Sequence, residues 1–546
     1  MSAAPPAGGT SSSKQLALVS AILASSIAAV DASAVNVALP AIGRDLGGGL
    51  AAQQWISNSY LLTLGAFILL AGSLTDRLGE RRVFVAGVAG FGVGSLLCAA
   101  APTTGVLIAA RAIQGLAGAV LTPAALAIIV AVFPKTERGA AIGKWTAYGG
   151  IGILIGPLIG GQIVDVASWR WIFALNVPLV AIALWLAARA VPGRRATAKA
   201  ARIDWSGAAL AALALTGISF GLIEQPVLGW SSPGVWGALV AGIAFGVAFV
   251  RHEARTPDPM LPLQLFARRN FAVANAQTFG MYGGIGILGF FQTIYLQQVA
   301  GYPALKAGVT GLVPTIVMFL FSARVGALAD RRGPRFFLTA GPLVVACGLL
   351  LMMRFDTSVS FVGDVIPAML LFSIGIALTV APLTATVLAD ADESDAGIAS
   401  AVNNAIARVA SLIAIAAIGA IVASHYSAAL DDHLPAALPA ASSSAVEQAK
   451  RRTFARVDVA SVPPAQRAEV RAASDSASVS SFHLAAGLGA ALLMLAGLAG
   501  LLLHNPRCGP DSVSAEDCPG GQLVGAPSAI EREPVPVLTV AAKSPA

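Results

Sequence analysis

The chain has 546 residues, of which 56% are hydrophobic and 12% charged, with a formal net charge of +7. Soluble globular proteins average about 45–50% apolar and about 25% charged residues, so this balance excludes a soluble enzyme and requires an integral membrane protein. The basic residues sit between apolar runs, as cytoplasmic loops do, which excludes a nucleic-acid surface and leaves the lipid bilayer as the chain's partner.

Residues 1–15 are expected to form a disordered cytoplasmic N-terminus. Apolar segments long enough to cross a hydrocarbon core of about 30 Å follow at 16–39, 53–71, 83–101, 104–133, 140–163, 171–190, 206–224, 234–250, 271–296, 308–329, 336–353, 361–388, 397–424 and 482–504. The first is too long for a signal peptide and contains Asp31, so it reads as a retained span. The even-numbered connections carry the basic clusters Arg77/Arg81/Arg82, Lys135/Arg138/Lys144, Arg194/Arg195/Lys199/Arg202, Arg251/Arg255/Arg268/Arg269 and Arg331/Arg332/Arg335. The positive-inside rule therefore places both termini in the cytoplasm. Segment 390–395 is acidic and neutral to that rule. Segment 425–481, basic and about 57 residues long, lies near the limit of about 60 beyond which loops cross regardless of charge, and reads as a partly helical extracytoplasmic loop.

Between spans 2 and 3, Gly72-Ser-Leu-Thr-Asp76-Arg77-Leu-Gly79-Glu80-Arg81-Arg82 concentrates charge in a tight connection. The pattern recurs between spans 10 and 11 as Gly326-Ala-Leu-Ala-Asp330-Arg331-Arg332-Gly333-Pro334-Arg335. Two copies at matching positions imply two parallel six-helix halves, an arrangement that transporters use. The expected organisation is 6+2+6. A half at 16–190 and a linker at 191–205 precede an inserted pair at 206–250. A linker at 251–270, a half at 271–504 and a cytoplasmic tail at 505–546 follow. Asp31 on span 1 and Arg111 on span 4 fall at similar depth, about 10–12 Å from the same surface. An acid inside a span faces a cavity, pairs with a cation or protonates. Two readings stand for Asp31: a proton-coupling acid paired to Arg111, or a helix-packing partner. Arg111, Gln114, Gly115 and Gly118 share one helical face.

Several motifs stand in a telling order: Asp31-Ala-Ser-Ala-Val-Asn36-Val-Ala-Leu39-Pro40, the Gly72 loop, Arg111-Ala-Ile-Gln114-Gly115, Gly152-Ile-Leu-Ile-Gly156-Pro157-Leu-Ile-Gly160-Gly161, Trp169-Arg170-Trp171-Ile-Phe173 with Asn176-Val-Pro178, and Tyr295-Leu-Gln297-Gln298. With these, residues 16–504 resemble the major facilitator superfamily, in particular its fourteen-span drug–proton antiporters. The resemblance implies an all-α major facilitator fold and a multidrug exporter driven by the proton gradient, with no cofactor and no enzymatic step. It implicates Arg111 in proton coupling. It makes Gly152, Gly156, Pro157, Gly160 and Gly161 the antiporter motif associated with export. It assigns a cytoplasmic gate to Gly72, Asp76, Arg77, Gly79, Arg81 and Arg82, and less directly to Asp330 and Arg331. Asn36, Gln114, Asn275, Gln277 and Arg408 are candidate lining residues of a cavity for a small-molecule substrate, with Asn58, Tyr60, Gln292, Phe279, Phe290 and Phe291 as further possibilities. Glu224 and Asp364 read as interfacial.

The chain lacks the Gly-x-x-x-x-Gly-Lys-Ser/Thr phosphate loop and the His-Glu-x-x-His metal motif, and its four cysteines have no metal-ligand spacing. ATP-driven transport and a metal centre are therefore not expected. An exporter dedicated to one metabolite, and a membrane sensor or scaffold that keeps the fold, remain as rival readings.

Overall fold

The computed structural model describes residues 11–191, 203–389, 396–434, 440–451, 453–454, 457 and 459–505. Its α-helices are α1 (Ser11–Asp45), α2 (Leu50–Leu78), α3 (Glu80–Ala99), α4 (Thr104–Val132), α5 (Lys135–Val166), α6 (Arg170–Ala174), α7 (Asn176–Ala190), α8 (Trp205–Leu228) and α9 (Pro233–Glu253). The second part of the chain forms α10 (Arg269–Gln298), α11 (Ala304–Val309), α12 (Leu312–Arg332), α13 (Pro334–Leu351), α14 (Ile366–Ala389), α15 (Ala396–His433), α16 (Ala440–Arg451) and α17 (Arg467–Ala499). Among the described residues, thirteen helical stretches are long and apolar enough to span a bilayer. The sequence predicts fourteen; the remaining one, 140–163, falls within the 32-residue helix α5, whose described apolar stretch is Ile155–Val166.

Proline decides where two predicted spans break. The segment 171–190 divides at Leu175 into α6 and α7, because Pro178 has no N–H to offer the preceding turn. The segment 308–329 starts as α11 and resumes as α12 after Thr310-Gly311, with Pro314 in the first turn of α12. The two copies of the repeated loop fold alike. Gly79 alone joins α2 to α3 at φ 89°, and Gly333 alone joins α12 to α13 at φ 85°. This conformation is nearly closed to side chains.

The helices pack in two groups. In the first, α1 lies against α5, α4 and α7, and α4 against α2 and α3; in the second, α10 lies against α15 and α17, and α14 against α12 and α13. The pair α8–α9 packs on itself and then, through α8, on both α2 and α15. Most of α9 is exposed apolar surface (Val240, Ile243, Val247 and Val250), as suits a lipid-facing helix. One core cluster runs across both groups at the end bearing Ile42, Trp169, Tyr302 and Phe355.

Part of segment 425–481, read from sequence as a loop, extends the helices. α15 runs on to His433, α17 begins at Arg467, and α16 lies between, closed over a small core of Tyr426, Leu430, Val446, Val462 and Val470. Phe454 in this cap adopts φ 70°, an outlier for a bulky residue. Its ring is buried between Phe291 and Tyr295, each at a centroid distance of 6.2 Å. We call this the cap end and the opposite one, carrying Gly79 and Gly333, the linker end.

At the linker end, Asp204 caps α8: its Oδ1 accepts from the Gly207 N–H at 2.8 Å and lies 2.8 Å from His252 Nε2 on α9. Burial pushes the Asp204 carboxyl up, but the Gly207 N–H and His252 outweigh it and hold the carboxyl below its ordinary range. A carboxylate depressed in the fold contributes stability above its ordinary range, about pH 4, and loses that contribution as pH falls through the lower folded value. Asp204→Asn is expected to melt below wild type at neutral pH, with the gap closing on acidification past about pH 4, in melting curves recorded in detergent. Gly333→Ala is expected to cost about 1–3 kcal/mol through backbone strain, read as a lowered melting temperature of the purified protein.

Candidate functional site

The site is built where five helices of the first group come within side-chain reach. Small residues make the approach possible. A Cβ at Gly115 of α4 would sit 2.3 Å from the Tyr60 carbonyl of α2, and one at Gly94 of α3 would sit 2.8 Å from the Gln114 backbone. The i, i+3 spacing puts Arg111 and Gln114 on the same face of α4. The break at Leu175 aims Asn176 into the same space.

There Asp31 of α1 is fully buried and Arg111 is 2% exposed. Arg111 Nη1 donates to Asp31 Oδ2 at 2.5 Å and to Gln114 Oε1 at 2.6 Å, while its Nε donates to the Ile56 carbonyl at 3.3 Å. Asp31 Oδ1 accepts from Gln114 Nε2 and from Asn176 Nδ2, both at 2.9 Å. Both amides also donate to Ser95 Oγ of α3, at 2.9 and 3.2 Å. The guanidinium lies 4.3 Å from the Tyr60 ring centroid and 5.8 Å from that of Phe173. Each carboxylate oxygen is thus satisfied, and the cation has both a carboxylate and aromatic faces around it. A buried pair survives in this state because its donors are all in place; removing one partner of such a pair costs about 3–5 kcal/mol. A carboxylate in such surroundings needs either a cation or a proton to offset its burial.

Asp31 and Arg111 were expected to meet, and they do. Gln114 joins them, and so is enclosed between helices instead of lining a cavity. Asn176 and Ser95 were not anticipated as partners. Asn176 had a signal, a lone amide two residues ahead of a proline in an apolar run; Ser95 had none.

Other candidates are placed differently. Asn275 is 2% exposed and donates to the Phe271 carbonyl, while its Oδ1 accepts from Asn403. Gln277 is fully buried and staples α10 to α13 and α17 through the Leu338 and Ala496 carbonyls at 2.6 and 2.9 Å. Both are corrected from cavity lining to helix packing, as amides in an apolar bundle take the backbone carbonyls they can reach. Phe290 and Phe291 belong to the cap-end core, and Asn58 is buried against the Leu412 carbonyl. Asn36 is half-buried and accepts from Ser57 Oγ at 3.4 Å, and Arg408 is exposed, with its Cβ close to Gly65. Glu224 accepts from Trp55 Nε1 at 2.7 Å, joining the inserted pair to α2.

The glycines of α5 form a groove on α1. Cβ atoms at Gly152, Gly156 and Gly160 would press on Ser26, on Ser33 and Val30, and on Ala34, the turns that flank Asp31. Gly161 and Pro157 face away from this groove toward α11, against Leu305 and Gly308. In the gate loop, Gly79 serves the chain reversal, whereas a Cβ at Gly72 would meet nothing, so no close approach occurs there. Arg77 and Arg82 are exposed, and Arg81 donates to the Ala188 carbonyl at the end of α7 at 3.1 Å. Asp330 is half-buried and Arg331 exposed. The Asp76 side chain lies outside the described residues.

A Cβ at Gly156 would fall 1.9 Å from Ser33 Oγ and 2.8 Å from the Val30 carbonyl. The hydroxyl can rotate away but the backbone cannot, so Gly156→Ala is expected to pry α5 from α1 at a cost of about 1–3 kcal/mol. A melting temperature equal to wild type in detergent would contradict that contact.

The profile of the Major Facilitator Superfamily matches residues 21–415. The puromycin resistance protein pur8 of Streptomyces alboniger is 35% identical over 424 residues, which cover 76% of this chain and 83% of that protein. The tetracenomycin C resistance and export protein of Streptomyces glaucescens is 30% identical over 528 residues, 94% of this chain and 96% of that protein. The multidrug resistance protein Stp of Mycobacterium tuberculosis is 34% identical over 75% of this chain and 76% of its own length. Among solved structures, a bacterial homologue of the human lysosomal transporter Spinster, in an inward-facing and unoccupied conformation, superposes with a TM-score of 0.60 at 16% identity, covering 91% of this chain and all of that one. That likeness speaks for the fold alone. A profile spanning most of the chain, relatives matched over three quarters or more of their length and this bundle of spanning helices together make the chain a member of the Major Facilitator Superfamily.

Proposed function

We propose that this protein is a proton-coupled exporter of amphipathic small molecules that works by alternating access in the cell membrane. The observation that carries the reading is the sealed Asp31–Arg111 pair: a fully buried carboxylate whose one cationic partner comes from a different helix. When a conformational change withdraws Arg111, the carboxylate is left as an uncompensated buried charge and takes up a proton instead. Relatives named for resistance to puromycin, for tetracenomycin C resistance and export, and for multidrug resistance support drug-like substrates and the outward direction.

In this reading the termini and the linker end are cytoplasmic, as the basic connections suggest, and the cap is extracytoplasmic. Fourteen spans form two six-helix halves, 16–190 and 271–504, with 206–250 as the inserted pair. The shared core at the cap end supports a conformation closed to the outside. Gly79, Asp76 and Arg77 belong to the inner gate that would close in the opposite state, and Gly152, Gly156 and Gly160 let α5 slide on the helix that carries Asp31. Asn36 and Arg408 remain as the polar candidates for the substrate path.

The test is efflux of a panel of dyes and antibiotics from cells, with and without a protonophore. Wild type should lose its efflux in the protonophore. Asp31→Asn should abolish proton-driven efflux while the protein still reaches the membrane. Wild-type rates and an unchanged pH dependence in Asp31→Asn would rule out the coupling role.

A further inference from the structure

We propose that Asp165 is the latch that holds the two halves together at the cap end, a positioning residue of the transport cycle. This rests on the alternating-access reading above. Asp165 lies in the last turn of α5, and its two oxygens accept from two consecutive backbone N–H groups of the other half: Ala304 to Oδ1 at 2.9 Å and Leu305 to Oδ2 at 2.8 Å. Its own helix gives no reason for an acid there, because the C-terminal end of a helix dipole repels negative charge. The reason is across the interface, where the first turn of α11 presents free N–H groups that need an acceptor.

The surroundings fit a contact that forms and breaks as a unit. One turn earlier, a Cβ at Gly161 would lie 2.6 Å from Leu305 Cα, and a Cβ at Gly308 would lie 2.4 Å from the Pro157 carbonyl. Backbone thus meets backbone with no side chain between, and Asp165 closes the edge of that contact. Gln297 Nε2 also bonds between the halves, to the Val37 carbonyl of α1 at 2.9 Å, and Gln54 and Asn58 of α2 donate to the Ile415 and Leu412 carbonyls of α15 at 2.6 and 3.4 Å. The Asp165 carboxylate is exposed, with its Leu305 bond open to solvent and its Ala304 bond partly buried, unlike the Asp31 pair. The Asp165 bonds are therefore weak enough to be released in each cycle, whereas the Asp31 cluster lies within one half and moves with it. The structure separates the two tasks: Asp31 handles charge inside one half, and Asp165 sets how long the halves stay closed at this end.

The latch can be tested by distance measurement between spin labels on Ala100→Cys and Ser358→Cys, one in each half at the cap end. The full-length protein is used in lipid nanodiscs, with Cys347, Cys508 and Cys518 replaced by Ser and buried Cys98 kept. Wild type should show mostly the short, closed distance. Asp165→Asn should raise the longer, open population about fivefold, the scale of losing one helix cap, and Asp165→Glu should restore most of the closed state. Ala304→Pro removes one of the two donors from the other side, at a helical first position that tolerates proline. It should open the cap end in the same direction, and it reads the bond even if Asp165→Asn does not fold. An Asp165→Asn distribution equal to wild type, or an equal opening by Gln162→Ala on the neighbouring exposed position, would overturn the latch. The distance readout needs no substrate. Failure of the exporter reading would appear instead as absent efflux with the latch response intact.

Discussion

The buried ion pair between Asp31 and Arg111 is the constraint that the first half of the molecule is built around. A charge in the middle of an apolar bundle is tolerated only with its counter-ion and donors close by, and here those come from α1, α3, α4 and α7, with the Ile56 carbonyl and the Tyr60 ring from α2. Meeting that demand forces backbones together. Gly94 and Gly115 exist on α3 and α4 where a side chain would hold the helices apart, and the glycine groove of α5 lets a sixth helix lie against the turns beside Asp31. The packing of this half therefore follows from its electrostatics. Apolar burial alone could be met by many crossings, but satisfying both carboxylate oxygens selects one.

Among the described residues, the second half has no comparable buried ion pair. Its helices are tied by neutral amides and hydroxyls: Gln277 to two carbonyls, Asn403 to Asn275 and Thr278, and Ser411 to the Tyr282 carbonyl. At its cap end it is closed by an aromatic chain through Phe291, Phe454, Tyr295, Phe482 and Phe355. The two helix groups differ in what holds them: a buried ion pair in one, neutral amides and hydroxyls in the other. The inserted pair α8–α9 touches both through α8 and presents the rest of its surface to lipid.

Contacts within and between the halves differ in number more than in kind. Within each half, buried polar bonds would leave unsatisfied groups in a dry interior if broken. Between the halves, the joints are a shared apolar core at one end, backbone contacts at Gly161 and Gly308, the edge bonds of Asp165, and two buried amide bonds from α2 to α15, Gln54 to the Ile415 carbonyl and Asn58 to the Leu412 carbonyl.

Hydropathy and charge by themselves determined the membrane class, most of the spans and the two-fold repeat, because lipid imposes length and composition on every crossing helix and a tight turn of one glycine repeats as a recognisable pattern. They also brought Asp31 opposite Arg111, since depth in a membrane can be counted in residues. What they could not supply was rotation about each helix axis. Gln114, Asn275 and Gln277 look alike in sequence to residues lining a cavity, yet all three point between helices, because neighbouring carbonyls and charges claimed their donors. Asn176 reached Asp31 only because Pro178 broke its helix, and Asp165 found its partners on a helix 139 positions away. Span length is a local property of the chain. The direction in which a polar side chain faces is decided by what the other helices place in front of it, and only the tertiary structure holds that.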